Sequence, residues 1–396
     1  MVIAAKVKQQ MAEGGWIRKM FEEGIALKKK YGEDNVFDLS IGNPIMEPPA
    51  KFDEELKRLV NNPVPGMHRY MPNPGYPETR AAVAEHLKKE TGLPFTGNDV
   101  IMTAGAAGAV NVVIKAISEP GDEIIIFAPF FAEYIYYIDN HNAACRAVPT
   151  DANFMPDLKA LEAAMNPKTR AVLINSPNNP SGQVYSREVM TKIGELIRQK
   201  EKEYRRDIFL ISDDAYRKIV FDGLEVPYVF PVHPRSIMAT SHSKDLALPG
   251  ERIGYVAVNP GYKDREELTN GIIFCSRVLG FVNAPALMQH VVSKLQAVTV
   301  DVGHYQRQRD FFVSALVEMG YQIVKPHGTF YIFPKSPVPD EMEFIRELQK
   351  YNVLVVPGSG FGTSGYFRIS YCTVDKVIEG SLPGFKAVAK KYGLSK

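Results

Sequence analysis

Six short apolar runs, separated by amphipathic stretches, dominate the middle of the chain. They lie at residues 100–103, 123–128, 170–175, 208–212, 237–240 and 253–258. Short runs that are apolar at nearly every position are typical of strands buried on both faces. After the first run, Val110, Val113, Ile114 and Ile117 recur at the spacing of one helix face. Strands that alternate with helices in this way predict a mostly parallel sheet covered by helices on both faces.

The pattern is shorter and more mixed outside this region. Near the N-terminus it predicts a helix over 16–31 and a strand over 36–41, followed by a long ordered loop at 61–77 that is rich in Pro, Gly and Asn. After residue 284 it predicts a smaller α+β unit. That unit has helices at 301–319 and 341–351, a terminal helix, and strands at 321–325, 329–334, 353–356 and 367–371.

The strand ends of the middle region carry distinctive residues. They are the small-residue turn at 105–108, the pair Phe130 and Phe131, Asn179, Asp213 with Tyr216, and Lys244. Because ligands of parallel α/β sheets bind beyond the carboxyl ends of the strands, we expect all five groups to face one crevice. The small residues at the start of a helix leave its free N–H groups open to an anion. The turn is not GxGxxG, so it does not indicate a dinucleotide.

The stretch SHSKDLALPGERIGY at 241–255 gathers an amine, hydroxyls and a cation on one short loop. Lys244 follows Ser241 and Ser243, and Arg252 lies eight residues further on. A lysine can form a Schiff base with a carbonyl, while arginine and hydroxyl groups hold a phosphate dianion. The residues Ser241 to Lys244 also satisfy the S-x-x-K pattern of acylating serines, but the companion S-D-N and K-T-G motifs are missing.

Composition limits the classes of function. The chain has 396 residues, of which 45% are hydrophobic and 23% charged, as in ordinary soluble proteins of two or three domains. A formal net charge of +2 gives no reason to expect a nucleic acid or an anionic membrane as partner. The charged N-terminus does not resemble a secretory signal, and no apolar run reaches the ~18 residues of a membrane span. We therefore expect a small-molecule enzyme of the cytoplasm.

Cysteine and histidine usage points away from metal sites and disulfides. Cys145, Cys275 and Cys372 are far apart in sequence and form no CxxC, so we expect small core residues in a reducing compartment. None of the eight histidines belongs to an HExxH motif. The sequence predicts no metal site.

Four motifs together carry a family resemblance. NNPSG at 178–182, DDAY at 213–216, SHSK with its arginine at 241–252, and FRIS at 367–370 resemble the class I aminotransferases, which are fold-type I pyridoxal phosphate enzymes. The motifs match in order and spacing over nearly the whole chain. The resemblance implies an α/β fold with a seven-stranded, mostly parallel sheet in a large domain (46–285). It also implies a smaller α+β domain built from residues 1–45 and 286–396.

The resemblance implies pyridoxal 5′-phosphate as cofactor and a ping-pong transfer of an amino group from an L-amino acid to a 2-oxo acid. Lys244 would form the Schiff base and move the proton, and Asp213 would pair with the pyridine nitrogen. Asn179 and Tyr216 would hydrogen-bond the phenolic oxygen of the cofactor. Phe131 would stack on its ring, which leaves Phe130 in the core and Asp214 facing solvent.

The phosphate and substrate sites follow from the same resemblance. The phosphate site would consist of Ser241, Ser243, Arg252, the backbone of Gly105, Ala106 and Ala107, and Tyr70 from a second subunit, so the resemblance implies a homodimer. Arg368 alternates with Phe367 and Ile369 along a strand and can therefore point away from the core that those residues enter. By the resemblance it binds the substrate α-carboxylate, beside Gly42 and Asn179.

The motifs do not decide which side chain the substrate carries. Some aspartate-specific relatives carry a lysine where this chain has Ala107, and Arg277 aligns next to the position of another carboxylate-binding arginine. The aromatic run at 130–137 can line an apolar pocket or pack in the core. Aspartate, alanine, aromatic and branched amino acids are all compatible. A β-lyase or decarboxylase would keep nearly the same residues, whereas a DNA-binding regulator of this fold needs a longer N-terminal extension and fits poorly.

Overall fold

The structure is a computed structural model that describes residues 2–394, including all side chains except those of residues 13, 16–19 and 21. The helices are α1 (Ala5–Glu13), α2 (Trp16–Tyr31), α3 (Ala50–Asn61), α4 (Pro77–Thr91), α5 (Gly105–Ile117), α6 (Tyr134–Asp139), α7 (Leu158–Ala164), α8 (Arg187–Tyr204), α9 (Arg265–Val278), α10 (Ala286–Val292), α11 (Val302–Glu318), α12 (Glu341–Gln349) and α13 (Asp375–Lys391). The strands are β1 (Phe37–Asp38), β2 (Val100–Thr103), β3 (Glu123–Ala128), β4 (Ala144–Pro149), β5 (Thr169–Asn175), β6 (Phe209–Asp213), β7 (Ser236–Ser241), β8 (Gly254–Val258), β9 (Tyr331–Ile332), β10 (Val353–Leu354), β11 (Val356–Pro357) and β12 (Phe367–Ser370).

The central sheet has seven strands in the order β2-β8-β7-β6-β5-β3-β4. Strands β3 to β7 pair in parallel, while β8 runs antiparallel to both β7 and β2. Two apolar cores, one on each face, hold the sheet between helix layers. Burying a whole apolar side chain stabilises a fold by roughly 1.5–3 kcal/mol, which explains why the inner strands are apolar at nearly every position. The predicted α/β class with a mostly parallel seven-stranded sheet is confirmed.

The strand predictions succeeded where both faces are buried and failed for one edge strand and one irregular segment. Strand β4 was missed because it lies at the sheet edge and most of its side chains are exposed or half-buried. The predicted strand at 321–325 is wrong, since this stretch forms no strand. Tyr321 is buried there, but its hydroxyl donates to the carbonyl of Phe385 at 2.9 Å, so helix packing rather than strand pairing holds the segment.

The C-terminal part of the chain builds a separate, smaller core. Strands β11, β12 and β9 form an antiparallel sheet, and β1 pairs in parallel with β10. Phe367 and Ile369 of β12 enter this core together with side chains of α11, α12 and α13. The predicted alternation along β12 places Arg368 on the opposite face, towards the central sheet.

The predicted boundary between domains at residues 285 and 286 remains a prediction. Met288 and Val291 of α10, and Leu295 just after it, belong to the same core as α3 and α4 beside the central sheet. The next residue along the chain that belongs to the smaller core is Val300. We therefore propose that the boundary lies after Leu295.

Two further expectations concern membranes and metals. No helix within residues 2–394 is both long and apolar enough to cross a membrane. The same residues contain no cluster of His, Cys, Asp and Glu side chains that could hold a metal ion. Cys275 and Cys372 are buried as expected, whereas Cys145 on the edge strand β4 is only half-buried.

Candidate active site

A cavity of about 280 Å³ lies at the carboxyl ends of the parallel strands, where the smaller core meets the central sheet. The predicted site residues that line it are Gly42, Ala106, Ala107, Phe131, Asn179, Asp213, Tyr216, Ser241, Ser243, Lys244, Arg252 and Arg368. Gly105 lies directly behind Arg252. Residues separated by more than 300 positions in sequence therefore meet at one place.

Asp213 ends strand β6 at the base of the cavity. Its Oδ2 accepts a hydrogen bond of 2.6 Å from the hydroxyl of Tyr134, and its Oδ1 accepts one of 3.3 Å from the backbone N–H of Ala215. Burial raises the pKa of the carboxyl group to about 6, although the Tyr134 hydrogen bond opposes that rise. No cationic side chain of the described residues offsets the burial. A cationic ligand group beside Asp213 would therefore be strongly favoured.

Lys244 lies in the loop after β7, with its side chain inside the cavity. Its Nζ donates to the carbonyl oxygen of Gly42 at 2.9 Å and stands 5.3 Å from the ring centre of Phe330. Burial lowers the pKa of the ammonium group to about 8, and the nearby cations Arg368 and Arg252 act in the same direction. A buried lysine with a lowered pKa is the form of amine that can attack a carbonyl near neutral pH.

The loop between β7 and β8 delivers a cation to the start of α5. Gly105 has a φ of 72°, and a Cβ there would lie only 2.8 Å from a terminal nitrogen of Arg252, so a side chain at this position would push the guanidinium away. Ser241 and Ser243 line the cavity together with Arg252, Ala106 and Ala107. Because α5 begins at Gly105, Ala106 and Ala107 bring its first N–H groups to the cavity wall. Hydroxyls, a guanidinium and a helix N-terminus together make a site for a phosphate group.

Arg368 is a buried cation that has no carboxylate partner among the described residues. Its side chain donates to Asn179 Oδ1 at 3.0 Å and to the Ser40 carbonyl at 2.8 Å, while its Nε has no hydrogen-bond partner among the described residues. Rings of Tyr331 and Phe361 lie 4.4 and 4.7 Å from the guanidinium. Since an uncompensated buried charge is costly, this arrangement favours an anionic ligand such as a carboxylate.

Two asparagine side chains, those of Asn175 and Asn179, link the end of strand β5 to Arg368 through hydrogen bonds. Asn175, at the end of β5, donates to the backbone oxygen of Asp213 at 2.9 Å and accepts from the backbone N–H of Asn179 at 2.8 Å. The loop that carries Asn179 is thus fixed to the neighbouring strand. Its side-chain oxygen is in turn held by Arg368. This network joins the central sheet to the smaller core across the cavity.

The prediction that Asp214 faces solvent is wrong. The residue is 2% exposed, accepts a short hydrogen bond from the Ser212 hydroxyl and lies 3.4 Å from a nitrogen of Arg217. It also lines a second cavity of about 500 Å³, to which the chain around 217–228 contributes. Asp214 is buried because this strand end is covered by neighbouring chain rather than open to solvent.

Tyr134 and Tyr331 were missed as site residues. Both line the cavity and hydrogen-bond predicted site residues. The signal for Tyr134 was its position three residues after Phe131, but an aromatic run also fits core packing. Tyr331 stands in no motif and could only be found from the fold.

Tyr70 and Arg277 lie away from this cavity. Tyr70, on the loop before α4, is 95% exposed and does not line it. Arg277 is exposed in the last turn of α9. The aromatic residues at 130–137 divide between cavity lining and core packing. Phe131, Tyr134 and Tyr137 line the cavity, whereas Phe130 is buried in the core of the sheet.

The cavity fits pyridoxal phosphate group by group. The amine of Lys244 suits an aldehyde, and the buried carboxyl group of Asp213 suits a protonated ring nitrogen. The guanidinium of Arg252 against Gly105 suits a phosphate. The guanidinium of Arg368, which lines the cavity and has no carboxylate partner among the described residues, suits the carboxylate of a substrate.

Comparisons with known proteins agree with this geometry. The family model of aminotransferase class I and II matches residues 34–379. The probable aspartate/prephenate aminotransferase of Thermus aquaticus is 30% identical over 88% of this chain and 90% of its own length. The aspartate aminotransferase of Pyrococcus horikoshii is 32% identical, with 92% of each chain covered.

Solved structures give the same result. An aminotransferase from Eubacterium rectale matches with a TM-score of 0.95 and 39% identity over 99% of both chains. The aspartate aminotransferase of Thermus thermophilus with maleate matches with a TM-score of 0.85 and 27% identity over 98% of this chain and 100% of that chain. The chain therefore belongs to the aminotransferase class I and II family, and it is a transaminase that uses pyridoxal phosphate to transfer amino groups between amino acids and 2-oxo acids.

Proposed function

We propose that Lys244 is the residue that binds the cofactor and carries the proton in both half-reactions. The observation that carries this proposal is the buried amine with a pKa of about 8, in one cavity with Asp213 and Arg368. At pH 7 about a tenth of such amines are neutral, against fewer than about one in a thousand at the ordinary lysine pKa. A neutral amine can act as a base and as a nucleophile, so its placement supports both roles.

The remaining residues hold and tune the site. When bound, pyridoxal phosphate supplies an aldehyde that takes up amino groups and a ring that withdraws electrons from the reacting carbon. Asp213 would keep the ring nitrogen protonated, and the Tyr134 hydroxyl fixes the direction of that carboxylate. Phe131 would stack on the ring, and Asn179 and Tyr216 would hydrogen-bond its phenolic oxygen.

The phosphate end would be held by Ser241, Ser243, Arg252 and the N–H groups of Ala106 and Ala107 at the start of α5. Each of these residues lines the cavity, and Gly105 leaves room for the guanidinium. Charge-assisted hydrogen bonds of this kind are roughly twice as strong as neutral ones. They would hold the cofactor in place while its bond to Lys244 is broken and later formed again.

Arg368 would bind the α-carboxylate of each substrate, with Asn179 and Gly42 beside it. Its hydrogen bonds to Asn179 and Ser40 fix the guanidinium before a substrate arrives. The cavity offers one such carboxylate site from this chain. One site for two substrates supports a ping-pong order, in which the first 2-oxo acid leaves before the second binds.

We further propose that the donor amino acid has a neutral side chain. The cations of this chain that line the cavity are Lys244, Arg252 and Arg368, and each already has a role. Ala107 offers no charge for a second carboxylate. Relatives include aspartate aminotransferases and the aromatic-amino-acid aminotransferase 2 of Thermococcus litoralis, which is 29% identical over 99% of this chain. The aromatic lining of Phe131, Tyr137 and Tyr331 favours the second type.

A homodimer of the cytoplasm, with a role in amino acid biosynthesis, completes the proposal. Tyr70 would reach the phosphate site of a second subunit, and its almost full exposure leaves it free for that contact. Phe274, Val278, Leu279 and Phe281, at and just after the end of α9, are also exposed, as expected of a surface that a partner covers. Light scattering should give about twice the mass of 44.2 kDa.

The deciding experiment is a half-reaction screen. The yellow holoenzyme is mixed with single amino acids, and conversion to the pyridoxamine form is followed by absorbance, with Lys244→Ala as the negative control. We expect aromatic or other neutral donors to convert the cofactor faster than aspartate does. Conversion by no donor would contradict the site assignment, and a strong preference for aspartate would contradict only the side-chain proposal. Release of ammonia and pyruvate would indicate β-lyase chemistry instead.

A further inference from the structure

Tyr331 stands where the two walls of the cavity meet. It is the first residue of β9, is 3% exposed, and pairs with Ser370 of β12, the strand that carries Arg368. Its ring lies 4.4 Å from the guanidinium of Arg368. Its hydroxyl is 2.9 Å from the hydroxyl of Tyr216, which belongs to the loop after β6. One side chain therefore contacts the proposed carboxylate site and the proposed cofactor site.

The position of this hydroxyl is enforced by the packing around it. A Cβ at Gly42 would overlap the Tyr331 hydroxyl oxygen, so the hydroxyl fits only because residue 42 has no side chain. The carbonyl oxygen of Gly42 accepts the hydrogen bond from Lys244. The Tyr331 hydroxyl thus lies against the same short segment that holds the reactive amine.

The hydrogen bond between the two tyrosines has a definite direction if Tyr216 serves the cofactor. Burial raises the pKa of both hydroxyl groups, so each keeps its proton at neutral pH. Within residues 2–394, Tyr216 is the only hydrogen-bond partner of the Tyr331 hydroxyl. A tyrosine has one proton to donate. If the Tyr216 hydroxyl donates a hydrogen bond to the phenolic oxygen of the cofactor, it must accept the hydrogen bond from Tyr331.

We propose that Tyr331 is a positioning residue for transamination. It orients the Tyr216 hydroxyl as a hydrogen-bond donor to the cofactor and makes that hydrogen bond stronger. The inference rests on the proposed role of Tyr216. Two hydrogen bonds in a chain polarise each other, which strengthens each by roughly 10–30%. A stronger donor draws electron density from the phenolic oxygen, and this makes the nitrogen of Lys244 in the holoenzyme less basic. Loss of the Tyr331 hydroxyl should therefore raise the pH at which that nitrogen loses its proton.

The test is a pH titration of the holoenzyme without substrate, followed by the absorbance of the bound cofactor. The proteins compared are wild type, Tyr216→Phe, Tyr331→Phe and the double variant. We expect Tyr216→Phe to raise the midpoint, and Tyr331→Phe to raise it by about a tenth to a quarter as much. In the double variant the second substitution should add nothing. Because phenylalanine keeps the ring against Arg368, KM for the donor should change less than about twofold in Tyr331→Phe.

Tyr371→Phe is the matched control. Tyr371 is buried in the same core, and its hydroxyl donates to the carbonyl of Thr329 at 3.1 Å, outside the cavity lining. Its loss should lower the melting temperature without moving the titration midpoint. An equal shift in this variant would show that Tyr331 acts only through general packing, which would overturn the inference.

The outcomes separate the two proposals. An unchanged midpoint in Tyr216→Phe would refute the role of Tyr216, and the inference about Tyr331 would fall with it. A shift in Tyr216→Phe without one in Tyr331→Phe would overturn the inference alone. A shift from Tyr331→Phe that persists in the Tyr216→Phe background would also overturn it, since Tyr331 would then act by another route.

Discussion

Replacing Asp213 by asparagine should make the cofactor-free protein more stable at pH 8 while it abolishes transamination. The carboxyl group is buried without a cationic partner among the described residues, and burial raises its pKa from 3.8 to about 6. A difference of about two units corresponds to about 3 kcal/mol of unfavourable free energy once the group is ionised. On the proposed role of Asp213, this cost is the consequence of keeping an anion beside the ring nitrogen of the cofactor.

The sign and size of the effect follow from the same pKa. Since the folded pKa lies above the unfolded one, stability is full at low pH and is lost as the pH rises from about 4 to about 6. Asparagine stays neutral and still accepts from Tyr134, but its amide group fits the N–H of Ala215 poorly, which costs about 1 kcal/mol. The net gain at pH 8 should be about 2 kcal/mol, and it should be roughly 1.5 kcal/mol smaller at pH 5.

Urea unfolding of the apoenzyme, followed by circular dichroism at pH 5 and pH 8, measures this difference. Asp214→Asn is the comparison: burial raises the pKa of that carboxyl group as well, but Arg217 opposes the rise, so this substitution should stabilise the protein less at pH 8 than Asp213→Asn does. The burial argument would be refuted if Asp213→Asn were no more stable than wild type at pH 8. It would also be refuted if the gain in stability were the same at pH 5 and pH 8. Added pyridoxal phosphate should stabilise wild type more than the variant, because in the proposed site the ring nitrogen would pair with the carboxylate.

Three other predictions test separate parts of the site. Arg368→Lys should lower kcat/KM about a hundredfold or more, since lysine cannot hold a carboxylate bidentately, and steady-state kinetics with two different donors should show the same loss. Ala107→Lys should raise the ratio of kcat/KM for aspartate over that for alanine at least tenfold, and an unchanged ratio would place the side-chain pocket elsewhere. Tyr134→Phe should raise the pKa of Asp213, because the lost hydrogen bond lowers it. Cofactor titration should then show weaker binding at pH 6, with a smaller deficit at pH 8.

The sequence predicts this fold best where burial is symmetric. Strands β2 and β3 have the predicted bounds because their residues are apolar at nearly every position and enclosed on both faces. The edge strand β4 and the irregular segment at 321–325 depend on neighbours that come from distant parts of the chain. No local pattern records those neighbours, so the one was missed and the other was wrongly predicted.

The site shows the same division. Residues in motifs at strand ends, such as Asn179 and Lys244, were predicted to meet, and they line one cavity. Tyr331 and the burial of Asp214 could not be predicted, since each depends on a surface supplied by another element. For Tyr331 that element is the loop around Gly42, and for Asp214 it is the chain around 217–228.

The distance in sequence between the two halves of the cavity also sets an order during synthesis. Asp213 ends a strand of the central sheet, and Lys244 and Arg252 lie in the loop between its strands β7 and β8. This sheet is complete at Val258, whereas Arg368 is hydrogen-bonded to a residue 189 positions before it. At roughly 5–20 residues per second, the ribosome needs several seconds to add the intervening chain. A growing chain can therefore present Lys244 before it contains Arg368. If these residues have the roles proposed above, newly made protein would be able to bind the cofactor before it can bind amino acids.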